Sequence, residues 1–534
     1  MTLPHHLTRV SRGRPEAYVC TLYPRLVDSG LHTDMTDPIL PAASLMELAI
    51  VSITTQHTIG PVDRKIYSGF VEHMGRCVYG GLVPSTYPEK SSKDDCTRQN
   101  FRKDVIETMK EVKPPLVRYP GGNYTANFNW MDGVGPERKP RVELAWLKTE
   151  PNTFGTNEFI EWCREAEVEP FLCLNMGTGD LREALAWVEY CNSDANSYYS
   201  NLRKSHGYEN PHKVKYWCLG NEVYGDWQIA QDSKESYAAK AIQWAKAIRL
   251  LDPSVKLVLC GQHGYNEWDS YVLNQCIEWV DYHSIHFYSE QKTYEMAVHA
   301  PKIAEKSIIW AQSMIDNARF NKKVNKPVKI CFDEWNVWNP ERYPGTEGHE
   351  EIYNVADMLG VAVWFNIFIR HADIVEIACI AQSVNVIAPI YTKDGDLMKQ
   401  TIWWPYLLTA QHMHGRSITT HVNCSTWKGE LTGQLSKFAG MLPELKNLDI
   451  AATIDDKNIL TVSIVNGKLE DVEADLQIDC EIKKGIEKIE VYGEPSDENS
   501  FEEKDKVIPV RSQLSSSKRV VLKRCSYTML RYQL

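Results

Sequence analysis

The chain has 534 residues, too many for one ordinary domain and enough for a large barrel with a smaller module beside it. Apolar residues make up 43% and charged residues 24%, the balance of a soluble globular protein. Lys and Arg number 59 against 70 Asp and Glu, a formal charge of −11 with no long basic run, which argues against nucleic acid or an anionic membrane as partner.

Residues 1–45 are rich in Pro, His and polar side chains with weak periodicity, and read as an N-terminal extension of little expected order. They hold no apolar core of signal-peptide type. A coherent strand-like run, 48–53, begins just after Met46, which makes Met46 a candidate natural start. From residue 65 short apolar runs alternate with longer amphipathic ones, the pattern of repeated βα units. Eight strands are expected, at 65–70, 115–118, 170–175, 214–219, 255–260, 282–286, 328–332 and 376–381. Helical runs fall between them; in 102–112, for example, Val105, Ile106, Met109 and Val112 share one face. Eight such units close a (β/α)8 TIM barrel of the α/β class over 65–389, with its active site where the strands end.

The most apolar long stretch, 355–381, contains Asp357, Asn366, Arg370, His371, Asp373 and Glu376 and does not suit a membrane span. Beyond residue 390 the texture changes. Short β-rich runs at 460–465, 474–478, 489–491 and 520–522 are separated by charged turns, with no helix-length apolar period between them. They predict a C-terminal antiparallel β-sandwich of 390–534, joined by 46–64. The fourteen Cys are scattered with no CxxC pair, and Cys173, Cys218, Cys260, Cys331 and Cys379 lie inside apolar strand-like runs. Buried thiols explain this better than a disulfide framework or a zinc site, and they imply a reducing, cytoplasmic compartment.

The expected strand ends carry, in order, Glu72 and His73; Arg118 and Asn123; Asn175; Asn221 and Glu222; Gln262 and His263; His286 and Tyr288; Glu334; and Gln382 and Asn385. Loops are polar in any protein, which accounts for some of these residues but not the whole series. A rim of amides, carboxylates and one Arg suits a polyhydroxylated, uncharged ligand. Glu222 follows the fourth strand in Gly220-Asn221-Glu222, and Glu334 ends the seventh in Asp333-Glu334-Trp335-Asn336-Val337-Trp338. A buried unpaired carboxylate is costly, so two of them at corresponding strand ends point to an acid and a nucleophile facing one pocket, as cleavage of a glycosidic bond with retention requires. Glu222 as a helix-capping acid is the plainer alternative. Trp335 or Trp338 is a candidate apolar wall for a sugar, although 16 Trp and 26 Tyr are more often core than platform. Gly121-Gly122 suggests a tight turn more than a phosphate loop, since no Gly-Lys-Ser/Thr follows. His283 and His286 point to opposite faces of a strand, and His412 and His414 have no evident acid or Cys partner, so no metal site is expected.

With these residues in view, the chain from about residue 65 onward resembles the α-L-arabinofuranosidases of glycoside hydrolase family 51. The resemblance rests on Gly69-Phe70-Val71-Glu72-His73-Met74-Gly75-Arg76, the segment 118–123, Gly133-Val134-Gly135-Pro136, the segments 219–222 and 333–338, and Gln382-Ser383-Val384-Asn385-Val386-Ile387-Ala388-Pro389. It implies Glu222 as acid/base and Glu334 as nucleophile. It further implies that Glu72, Asn123, Asn221, Tyr288 and Gln382 hold the furanose and that Arg118 and His286 orient the carboxylates. A β-sandwich beside the barrel, no cofactor and often a hexamer belong to the same expectation. Two departures stand out: Val223-Tyr224-Gly225-Asp226 where the family usually has Met-Asp-Gly-Pro, and a longer segment before Lys65. The expected function is a retaining, exo-acting α-L-arabinofuranosidase acting on arabinose-containing oligosaccharides. The alternatives are the same machinery on another glycan (a β-xylosidase, β-glucanase or galactofuranosidase) and a carbohydrate-binding protein without catalysis.

Overall fold

The structure is a computed structural model that describes residues 46–89, 95–290, 292–339, 349–515 and 518–534; the extension expected at 1–45 lies outside the described residues. In chain order the strands begin with β1 (Glu47–Pro61), β2 (Ser68–Phe70), β3 (Leu116–Tyr119), β4 (Arg141–Val142), β5 (Thr149–Glu150) and β6 (Glu169–Cys173). They continue with β7 (Tyr216–Leu219), β8 (Lys256–Leu259), β9 (Tyr282–Ser289), β10 (Lys329–Val337) and β11 (Val375–Ile380). Among the helices are α1 (Lys103–Val112), α2 (Thr156–Ala166), α3 (Leu181–Asn192), α4 (Tyr198–Ser205) and α5 (Lys234–Leu251). Then come α6 (Glu267–Cys276), α7 (Tyr294–His299), α8 (Pro301–Lys322), α9 (Val355–Arg370) and α10 (Trp403–His412).

Strands β2, β3, β6, β7, β8, β9, β10 and β11 pair in parallel and close into a barrel, and each of the eight expected runs contributes one of them. The first is shorter than its apolar run because a 3-10 turn over Arg64–Tyr67 takes up its beginning. The seventh is longer: past Phe332 it keeps pairing with β9, Glu334 opposite His286 and Val337 opposite Ser289. Inside the barrel Cys173, Cys218, Cys331 and Cys379 pack with Phe70 and Phe171 as small hydrophobes. Outside, α1 turns Val105, Ile106, Met109 and Val112 inward, as their spacing requires, and ends where Lys113 takes the left-handed φ of 56°.

Beyond β11 come a hairpin of β12 (Ile390–Lys393) and β13 (Asp396–Lys399), α10, and the strands of a second domain. Helix α10 packs on α9 and α1 as the last outer helix of the barrel, so the boundary expected at residue 389 falls within the final βα unit. The second domain adds β14 (Arg416–Asn423), β15 (Leu448–Ile454), β16 (Ile459–Asn466), β17 (Val472–Ile478), β18 (Lys484–Tyr492), β19 (Val510–Ser512), β20 (Arg519–Leu522) and β21 (Ser526–Gln533). With β1 they form one nine-stranded sheet in the order β19-β18-β21-β16-β15-β14-β1-β17-β20. Its pairings are antiparallel except β1 with β17, and through β1 the run after Met46 lies in this sheet. Alternation along β21 shows how the sheet serves two cores: Leu530 and Tyr532 face the domain's own interior, Tyr527 and Met529 the barrel.

Helix α9 lies between the two domains, which explains its apolar character on every side. The polar residues it does carry form the joint. Asn366 donates to Asp449 at 2.9 Å and accepts from Ser463, while Arg370 donates to Asp449 and Glu305, both at 2.9 Å, and Lys302 also bonds Asp449. Burial alone would raise the Asp449 carboxyl, but Arg370 and Lys302 bring it below the usual aspartate range. Its contribution is therefore present above that range and lost as pH falls through the folded-state value. Among the described residues no helix is long and apolar enough to cross a membrane. Asp449→Ala should leave Lys302 and Arg370, both half-buried, with Glu305 as their one acidic partner at the joint among the described residues and lower the unfolding free energy by roughly 2 kcal/mol in urea titration near neutral pH; a change below about 0.5 kcal/mol would mean the joint is not held by charge.

Candidate active site

The strand ends open into a cavity of about 640 Å³ lined by Glu72, Asn123, Glu222, His286, Tyr288, Glu334, Trp338 and Gln382 among others. Arg118 lies beneath it, wholly buried, and sets its geometry. From β3 its guanidinium donates to Glu334 Oε1 at 2.6 Å and to Asn221 Oδ1 at 2.6 Å, and its Nε lies 3.2 Å from Asp333 Oδ2. Successive residues of a regular strand point to opposite faces, yet Asp333 and Glu334 both reach this one group. The pairing register of β10 against both neighbours shifts at this point, and the irregularity turns both carboxylates toward Arg118.

Glu222 sits in the loop after β7 at φ 45°, a left-handed conformation unfavourable for a glutamate. It is held there by His286 Nδ1 at 2.9 Å and the Tyr224 hydroxyl at 3.3 Å on Oε1, and by the Trp227 indole N–H at 3.1 Å on Oε2. His286 Nδ1 is also 3.5 Å from Glu334 Oε2, and its Nε2 is 3.3 Å from Asp333 Oδ1. The Tyr288 hydroxyl donates to Glu334 Oε2 at 3.1 Å. One ligand atom each of Glu222, His286 and Glu334 lies within 4.8 Å of the others. Such a trio has the spacing of a cation site, but here Arg118 supplies a fixed positive charge and the carboxylate oxygens already accept hydrogen bonds from the protein.

Glu72 forms the opposite wall. It accepts from the Tyr124 backbone N–H at 3.0 Å, the Trp146 indole at 3.1 Å and the Gln382 amide at 3.2 Å. The Gly121-Gly122 turn thus wraps a carboxylate of its own chain, not a phosphate. A Cβ on Gly121 would come within 2.3 Å of Glu72 Cγ, and one on Gly122 within 2.9 Å of Glu334 Oε1. Two buried amide atoms, Asn221 Nδ2 and Gln382 Oε1, have no hydrogen-bond partner among the described residues. Buried polar atoms are normally satisfied, so these two are poised for hydroxyl groups of a ligand.

Four acids (Glu72, Glu222, Asp333, Glu334) share two cations, and the site cannot keep every proton off. Burial pushes Glu72 up to about 7, with the charge of Glu334 adding to it. Burial would lower His286, but attraction to Glu334 and Asp333 and its hydrogen bonds raise it well above the usual imidazole range. Burial would raise Asp333, yet Arg118 and His286 hold it below the ordinary aspartate range. Glu222, despite burial, is brought down by His286 and Trp227; Glu334 is pushed up by burial and by Glu222, against the pull of His286 and Arg118.

Of the remaining strand-end residues, His263 reaches the cavity, whereas His73, Asn175 and Asn385 turn away. They bond Glu150 and Tyr119, Phe128 and Thr178, and Arg76 and Thr392, respectively. Trp338 lines the cavity beside Tyr288, but Trp335 is packed among Trp364, Phe365 and Phe368. His283 bonds Asp269 and faces away from His286's site. Sequence reasoning did not find Trp146, which arrives on the β4–β5 hairpin, or Gln434 and Phe438, which arrive from the second domain.

Residues 108–306 match the family description "Alpha-L-arabinofuranosidase 1 domain" and residues 333–526 "Alpha-L-arabinofuranosidase C-terminal domain". A protein of Aspergillus fumigatus named "Probable alpha-L-arabinofuranosidase C" is 47% identical over 440 residues, covering 79% of this chain and 85% of its own length. The "Intracellular exo-alpha-(1->5)-L-arabinofuranosidase" of Halalkalibacterium halodurans is 39% identical over 71% of this chain and 78% of its own. The Thermotoga maritima α-L-arabinofuranosidase, solved as its arabinose complex, superposes with a TM-score of 0.83 at 31% identity, over 91% of this chain and all of that one. The chain belongs to the family 51 α-L-arabinofuranosidases.

Against this family background the departure at Val223-Tyr224-Gly225-Asp226 acquires a place. Tyr224 is one of the donors to Glu222, and a Cβ on Gly225 would come within 2.5 Å of the Trp227 ring. Gly122→Ala should displace the Glu334 carboxylate and lower kcat on a chromogenic glycoside by roughly 10²-fold with the circular dichroism spectrum retained; unchanged kcat would mean the close approach is not needed.

Proposed function

We propose that the chain is a retaining, exo-acting α-L-arabinofuranosidase that releases terminal arabinofuranose from arabinose-containing oligosaccharides. The observation that carries the reading is the approach of a Glu222 oxygen to within 4.8 Å of a Glu334 oxygen. Direct attack on a bound sugar needs carboxyl groups about 5–5.5 Å apart, whereas a water between them needs about 6.5–9.5 Å.

In this mechanism Glu334 is the nucleophile. Arg118 fixes Oε1, and Oε2, held by the longer Tyr288 hydrogen bond with His286 at 3.5 Å, attacks the anomeric carbon. Glu222 gives its proton to the glycosidic oxygen as that bond breaks, and the leaving chain departs as an alcohol. Water then attacks the glycosyl ester, Glu222 takes its proton, and Glu334 leaves as a carboxylate. Two net negative charges are avoided if the pair shares one proton; His286, closer to Glu222 than to Glu334, draws that proton toward Glu334 in the empty site, and Glu222 takes it up when a bound sugar separates the pair. Asn221 Nδ2 and Gln382 Oε1 bond sugar hydroxyls, Asn123 and Glu72 complete the furanose pocket, and Trp338 walls it. Glu72, tied to Trp146 and Gln382, closes the sugar end, which favours a chain terminus over an internal unit. The barrel cysteines Cys173, Cys218, Cys331 and Cys379 are buried free thiols, which supports a reducing, cytoplasmic setting, and a homo-hexamer is what the family resemblance implies.

Glu334→Ala should bring hydrolysis of an aryl α-L-arabinofuranoside to background, and NMR of the wild-type reaction should show the first-formed sugar with its anomeric configuration kept. Inverted product, or substantial activity in the variant, removes the mechanism. The pH profile of kcat/KM should be a bell. Its acid limb lies below the usual glutamate range, where the lowered member of the pair takes a second proton, and its alkaline limb above, where the raised member loses the shared one.

A further inference from the structure

The acid side of the cavity does not end at Glu222. From Tyr224, which touches that carboxylate, rings follow one another outward: His263 at 6.4 Å, then Tyr265 at 5.7 Å, then Phe438 at 5.6 Å. Trp310 completes the row, lying 6.3 Å from Phe438 with nearly parallel planes and 5.7 Å from Tyr265. Here the cavity meets a second, open trough of about 750 Å³, with Tyr265, Lys437 and Phe438 lining both.

The trough is built from three pieces of chain. Helix α6 supplies Ser270 and Asn274, and α8 supplies Trp310, Ser313, Met314 and Asn317. Ser270 with Asn274, and Ser313 with Asn317, are four residues apart, so each pair presents hydroxyl and amide on one helix face. The third piece is a loop of the second domain that carries α11 (Gly433–Ser436). Gln434 anchors it to the end of β9, donating to the Tyr288 carbonyl and accepting from the Glu290 N–H, both at 3.1 Å. The same loop therefore ties the trough to Tyr288, the group that bonds Glu334.

Among the described residues the trough lining has no carboxylate, and its one charge is Lys437 at the junction. Flat rings beside hydroxyls and amides suit the apolar C–H faces and hydroxyl edges of neutral sugars. We infer that the trough is a distal subsite for the leaving-group chain, taking neutral sugars of an oligosaccharide beyond the unit released by Glu222. This rests on Glu222 acting as the acid, because the trough lies on that residue's side of the cavity.

The test compares kcat/KM on linear α-1,5-linked arabino-oligosaccharides of increasing length with kcat/KM on an aryl α-L-arabinofuranoside. In the wild type the ratio should rise with length until the trough is filled. Trp310→Ala should reduce the ratio for the longest substrate by roughly tenfold, the size of one ring contact. Since Trp310 also packs against the fold, Ser313→Trp provides a second variant, placing bulk at a solvent-facing position of the trough, and it should flatten the same length dependence. Hydrolysis of the aryl substrate with a ratio indifferent to length, or to both substitutions, overturns the subsite alone. No hydrolysis of any arabinoside overturns the subsite together with the proposed function.

Discussion

One buried guanidinium organises the catalytic end of this barrel. Arg118 cannot leave the interior without abandoning Asp333, Glu334 and Asn221, and none of these tolerates its loss, because each is buried with few other donors. The floor around it is thiol and aromatic: Cys173 Sγ lies 3.7 Å from the guanidinium and the Phe70 ring 4.9 Å. Little water screens these charges, so small displacements carry large electrostatic consequences. The register shift in β10 belongs to the same arrangement, since it lets consecutive acids serve one cation.

The two carboxylates are distinguished by what surrounds them more than by their depth. Glu334 is locked into the floor by Arg118 and Tyr288, whereas Glu222 hangs from a left-handed loop residue and is held by His286, Tyr224 and Trp227. A nucleophile benefits from a fixed oxygen and fixed charge. An acid that must later act as a base benefits from partners that tolerate both protonation states, and an imidazole that itself titrates is one. The different anchoring supports the proposed roles more directly than the resting pKa directions, which describe the pocket before a sugar separates the pair.

Much of this was legible in the chain. Strict βα alternation exposed all eight barrel strands, and a carboxylate after an apolar run marked Glu222 and Glu334, because few physical reasons place a charge there. Other features left no local trace. Asp333 looked like a neighbour of Glu334, and only the register shift in β10 shows that both face inward. Helix α10 was hidden because 390–415 opens with the β12–β13 hairpin and its own apolar period is short. His73 and Asn385 had the right residue type at a strand end but turn to satisfy loop groups, a competition that periodicity does not register. Trp146, Gln434 and Phe438 were invisible for a further reason: each is delivered by a hairpin or a loop whose landing place depends on tertiary packing.

That division has a functional logic. The residues proposed to cleave the bond sit at strand ends, where the barrel fixes backbone positions and sequence pattern follows geometry. The trough proposed to meet the rest of a long substrate is assembled from α6, α8 and a loop of the sheet domain, elements free to vary without disturbing Arg118. The joint through Asp449 then has a second consequence. By holding α8 and α9 to β15, it also fixes the loop that follows β14 and runs into β15, and with it Gln434 and Phe438 at the mouth of the cavity. Stability of the domain interface and the shape of the leaving-group side are therefore one property of this fold, set about α8, whose outer face forms the trough and whose Lys302 reaches the joint.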